Sequence, residues 1–167
     1  MGIDLNCGDE YFGCSYTGWK YLRFTLVAEK VLEFIDNSKE VKDSFKKIKK
    51  LFIYDLQSFF KEYNDLINKG FDASLGSIFE ISKNITIILL YHKDFLESLD
   101  MDGVIYLINK SDCSGEYTVK ESERILITIK NIRKHLITDE HEHKDVYDRI
   151  IKLFEESVVK NIPVGIS

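Results

Sequence analysis

The chain has 167 residues, a net charge of −5, and 44% hydrophobic against 31% charged residues. Those proportions exclude a disordered chain and a membrane-spanning one, and they suit a single domain over 1–167 able to bury a core. Only four of the 23 basic residues are Arg, and the balance is acidic, so neither a charge-driven nor an arginine-read contact with nucleic acid is expected.

In chain order, residues 1–18 hold four of the nine glycines and show no sustained period, so they read as an irregular N-terminal segment. From Trp19 the pattern turns helical, with Phe24, Val27, Val31 and Phe34 or Ile35 on one stripe. Asn37, with Glu40 three residues on, reads as the start of the next helix. In that helix Phe45, Ile48, Phe52, Leu56, Phe59, Tyr63 and Leu66 line one face, Lys42, Lys46, Lys49 and Lys50 the opposite one, with Asp43–Lys47 as an i,i+4 pair and Gly70 as C-terminal cap. A further helix runs from Ser77, boxed with Glu80, through His92 to Leu99, and ends at Asp100-Met-Asp-Gly103.

Val104–Ile108 is a five-residue apolar run, a short strand or a buried connector. Thr118 and Glu121 form a capping box for a helix with Ile125, Ile129, Ile132 and Leu136 inside. After a charged break at 138–143, a last helix carries Val146, Ile150 and Leu153 and stops before Pro163, the single proline. The expected fold is mainly α: a single-domain bundle of about five helices with an irregular N-terminal segment and room for one short strand.

The functional motifs are sparse. Cys7, Cys14 and Cys113 are an odd number with no close pair, and the N-terminus shows no basic and apolar leader, so a reducing cytoplasmic setting is expected without disulfides or zinc. The longest uncharged apolar run, Ile85–Tyr91, is too short to cross a bilayer, so no membrane is expected. His141 and His143 are two apart rather than four, and the Asp100–Gly103 and Asp112–Gly115 stretches lack the ligands that complete a calcium loop. No metal and no cofactor is expected. His92, alone on an apolar face, reads as a hydrogen-bonded core histidine.

Two stretches resist a purely helical account: Gly13-Cys-Ser-Tyr-Thr-Gly-Trp-Lys-Tyr-Leu-Arg23 and Leu107-Ile-Asn-Lys-Ser-Asp-Cys-Ser-Gly-Glu-Tyr-Thr118. Together they resemble an uncharacterised family of microbial and viral proteins. That family pairs a Ser-Tyr-[Ser/Thr]-Gly-[Trp/Tyr]-x-x-x-Arg stretch with a later Ser-Asp-Cys-x-Gly stretch. The resemblance covers these stretches and not the helical middle; Lys110 departs from it, where a His or neutral residue is expected. It implies a shared scaffold or site and no particular activity.

On the residues themselves, Trp19 and Arg23 share a helix face, and Asp112 would pair with Arg23 if the stretches meet. The reading favoured is a non-enzymatic binding or interaction protein. The alternative is a small-molecule-binding protein or enzyme with a polar pocket formed by residues 13–23 and 111–118. In that pocket Tyr16, Trp19 and Arg23 would recognise the ligand, and Asp112 and Glu116 would make polar or acid–base contacts. The partner is then a protein or small molecule, and a homodimer through a helix face is compatible with either reading.

Overall fold

The computed structural model describes residues 2–68, 75–110 and 114–167, with the side chains at 66, 67 and 75–82 outside that description. The chain is mainly helical, with a small antiparallel sheet of strand order β2-β1-β4-β3.

The N-terminal segment is a hairpin rather than irregular. Strands β1 (Gly2–Cys7) and β2 (Glu10–Ser15) pair from Gly2↔Ser15 to Cys7↔Glu10, leaving Gly8-Asp9 as a two-residue turn. Gly8 sits at φ +56°, which a glycine adopts without steric cost. Ile3, Leu5 and Cys7 alternate into the core, while Gly2 and Asn6 face out. The last residues complete the sheet: β4 (Val164–Ile166) lies between β1 and β3 (Gly115–Tyr117).

A helical run follows the hairpin directly. Ser15 caps α1 (Tyr16–Tyr21) by accepting from the Gly18 N–H at 3.0 Å, and the backbone then widens to a π-helix over Leu22–Ala28 before α2 (Glu29–Asn37). Six of the seven π-helical residues are buried, so this segment is the inner wall of the molecule. The Tyr147 hydroxyl donates to Leu26 O there, satisfying a carbonyl of the widened turn. Asn37 ends α2 rather than starting the next helix. The Lys49 ammonium donates to Asp36 O and Ser38 O, because the last carbonyls of a helix attract a cation.

A 3-10 turn (Asp43–Phe45) leads into α3 (Lys46–Asn68), where Asp43 pairs with Lys46 at 2.6 Å rather than with Lys47. Phe52, Leu56 and Phe59 are buried, as the apolar stripe requires. Gly70 lies outside the described residues. The long helix expected from Ser77 is two helices, α4 (Leu75–Tyr91) and α5 (Lys93–Ser98), broken at His92. Ser77 is thus inside α4, and its pairing with Glu80 lies outside the described side chains.

Val104–Ile108 belongs to a helix, α6 (Gly103–Ile108), not to a strand. Gly103 starts this helix instead of ending the preceding one. A Cβ there would sit 2.1 Å from Arg124 O, so only glycine lets α6 lie against α7 (Val119–Leu136) at this separation. α7 opens on the expected Thr118–Glu121 capping box. α8 (Lys144–Lys160) ends at Asn161, which takes the left-handed conformation at φ +54° before Pro163. No helix among the described residues is long and apolar enough to cross a membrane.

Candidate functional site

The two stretches singled out in the sequence do meet. Arg23, carried by the π-helix, is fully buried, and its Nη1 donates to Ile108 O at 3.3 Å and Lys110 O at 3.1 Å. Those carbonyls lie at and just beyond the end of α6, where the helix leaves backbone acceptors without partners and where its dipole favours a cation. The Tyr117 hydroxyl from β3 donates to Leu107 O at 3.2 Å, so side chains from two elements satisfy the same helix end. Burial pulls the Arg23 guanidinium below its ordinary value and pushes the Tyr117 phenol well above its own.

Trp19 lies one turn before Arg23, with its ring centroid 5.3 Å from the guanidinium carbon; Phe24 adds a second ring at 6.0 Å. Among the described residues, the buried Trp19 Nε1 has no hydrogen-bond partner. Tyr16 is half-buried beneath the Lys20 ammonium, 4.7 Å from its ring centroid. Glu116 is exposed on β3, opposite Gly165, and stands apart from the Arg23 contact. Asp112, with Ser111 and Cys113, lies outside the described residues. Lys110 is engaged too: its ammonium meets Glu121 at 2.8 Å. Burial opposes ionisation of that carboxyl, but bonds from Lys110 and Thr118 outweigh it and hold its pKa below the ordinary range.

The other polar clusters are internally occupied. Asp102 is buried and takes both Nε and Nη2 of Arg124, which also reaches Asp100 Oδ1 at 3.1 Å; these are the carboxylates of the calcium-like stretch. His92 is buried with its Nε2 2.9 Å from Asp55 Oδ2 and its ring edge-on to Phe52, as expected of a core histidine. His141 and His143 lie beside each other, with ring centroids 5.7 Å apart, and His143 meets the Tyr21 hydroxyl at 3.3 Å. Among the described residues, no three His, Cys, Asp or Glu side chains are placed to hold a metal ion. Cys7 and Cys14 are free thiols whose pKa values burial raises, a setting that disfavours nucleophilic attack.

No family model, curated protein or solved structure matches this chain.

The outer face of α3 and α4 is different in kind. Leu51, Tyr54, Ile87, Leu90 and Tyr91 are five of the nine large apolar side chains strongly exposed among the described residues, and Tyr54 and Tyr91 reach 69% and 76%. Between the helices lies an open cleft of about 670 Å³, lined among others by Asp55, Ser58, Phe59, Glu62, Ile87 and Ile88. The sequence reading missed this face. Leu51 and Tyr54 fall outside the inward stripe of α3, on the side read as simply solvated, and that mismatch was the available signal.

Proposed function

We propose that this protein acts by binding a macromolecular partner through the outer face of α3 and α4. The observation that carries the reading is the concentration of exposed apolar side chains on that face. A scattered exposed leucine is ordinary, but a patch of aliphatic and aromatic groups beside a cleft with carboxylate walls has the composition of an interaction surface. Arg23, by contrast, serves as a staple holding the end of α6. A photo-crosslinking side chain placed at Ser58, compared with one at the exposed Glu123 on α7, tests the reading. Adducts concentrated at position 58 are expected; equal yields at both positions would overturn it.

A second reading places a small-molecule pocket between residues 13–23 and 111–118, with Tyr16, Trp19 and Arg23 as recognition groups and Asp112 and Glu116 as polar ones. What favours it is the Trp19 Nε1 beside the Arg23 guanidinium, a buried donor with no acceptor among the described residues. Thermal shift against nucleotides, metals and metabolites, repeated on Asp112→Asn, tests it. A hit lost in the variant supports the pocket; no hit with either protein removes it.

A further inference from the structure

The exposed stripe of α3 is asymmetric in charge along its length. Lys47 and Lys50 lie in its first turns, Leu51 and Tyr54 follow, and Glu62 and Asp65 lie near its far end, all six exposed. None of the four charged groups forms an ion pair among the described residues, in contrast to Lys46, which meets Asp43, and Lys49, which caps α2. The positions recur at helical spacing: Lys47, Lys50, Tyr54, Ser58 and Asp65 fall within a narrow arc of the helix surface. Lysines in its first turns, apolar side chains in its middle and, beside Lys61, the carboxylates of Glu62 and Asp65 toward its far end make a surface complementary to itself when reversed.

We propose that α3 pairs with the α3 of a second copy of this chain, antiparallel, about a two-fold axis passing between Tyr54 and Ser58. This rests on the reading of the α3–α4 face as an interaction surface and names its occupant. The antiparallel register follows from the numbering. When Tyr54 lies opposite Ser58 of the second copy, Leu51 meets the stem of Lys61, Lys50 meets Glu62, and Lys47 meets Asp65. The two-fold repeats each pairing, so the contact is isologous and closes at two subunits. A parallel arrangement sets lysine against lysine and carboxylate against carboxylate. The charges therefore select one direction, while the apolar middle, with Ile87 of α4 across the cleft, supplies the buried area.

The test is a charge swap read by analytical ultracentrifugation of the full chain at low salt, with circular dichroism confirming that each variant is folded. The wild-type chain is expected to sediment as a dimer at micromolar concentrations. Lys47→Glu/Lys50→Glu and Glu62→Lys/Asp65→Lys each turn the self-contact into like-charge repulsion, so each alone is expected as a monomer. Mixing the two restores opposite charges across the same axis, and the doubled mass is expected to return. A monomeric wild type, either variant dimerising like the wild type, or a mixture that stays monomeric would overturn the proposal. Cross-linked adducts at position 58 of a mass other than a second copy, with a monomeric wild type, would overturn self-association while leaving the interaction surface intact.

Discussion

Replacing Arg23 by Met keeps a long flexible side chain against Trp19 and Phe24 but removes the donor shared by Ile108 O and Lys110 O. A buried carbonyl left without a partner costs about 1–3 kcal/mol, and the half-buried Lys110 O loses less than the buried Ile108 O, so together they cost about 2–5 kcal/mol. Releasing the guanidinium from its own burial offsets part of that loss, and we expect a net destabilisation of about 3 kcal/mol. For a chain of this length, each kcal/mol lowers Tm by about 2–4 °C, which gives a drop of about 6–12 °C. Calorimetry measures it directly. Fluorescence of Trp19, the single tryptophan, reports the same transition from beside the lost contact. Arg23→Lys should fall between wild type and Arg23→Met, since a compact ammonium on a different stem cannot reproduce the planar guanidinium against the Trp19 ring. A Tm for Arg23→Met within about 2 °C of wild type, or above it, would refute the assignment of Arg23 as a staple and return it to the candidate pocket.

Gly103→Ala should destabilise by about 1–3 kcal/mol or more in urea titration, because the new methyl group meets Arg124 O at 2.1 Å and Thr128 Oγ1 at 2.5 Å; an unchanged midpoint would show that α6 and α7 separate freely. Asp102→Ala leaves the partly exposed Arg124 with the Asp100 carboxylate as its remaining partner and should cost about 1.5–3 kcal/mol by the same titration, the loss typical of charge-assisted hydrogen bonds. Tyr117 and Tyr147 are phenols whose pKa burial raises in the folded state, so the folded chain holds their protons more tightly than the unfolded one. Their contribution to stability is therefore complete below the ordinary phenol value of about 10 and is lost as the pH rises from there toward the folded-state values. Ultraviolet titration should show these two phenolates forming only together with alkaline unfolding, and their formation in the folded protein would contradict the burial.

Much of the helical architecture was legible because it depends on local spacing. The stripe of Phe52, Leu56 and Phe59 predicts which side of α3 is buried, and Thr118 with Glu121 marks the start of α7 within the chain's own hydrogen-bonding rules. The hairpin too carries a local signature. Ile3, Leu5 and Cys7 alternate with polar or small neighbours, and Gly8-Asp9 is a two-residue hairpin turn, but the glycines nearby disguised the period of two. The helix at Val104–Ile108 was not legible, since an unbroken run of five apolar residues, four of them buried, carries neither a helical nor a strand period. The break at His92 was hidden for a related reason: the apolar positions keep their spacing through it, while its pairing with Asp55 comes from another helix.

The sequence by itself determined that this chain is mainly helical, which faces of its long helices turn inward, and that two stretches at 13–23 and 107–118 stand apart from the helical pattern. Local spacing and capping suffice for those, because each is settled within a few turns of the same chain. Only the tertiary structure decided that the stretches meet, that Arg23 reaches backbone carbonyls at the end of α6, and that the two termini share one sheet. Contacts between residues eighty or more positions apart leave no periodic trace in a single sequence. It also decided that Leu51 and Tyr54 on α3 and Ile87 and Tyr91 on α4 lie bare, since an apolar residue off the inward stripe is left exposed or covered according to what packs beside it.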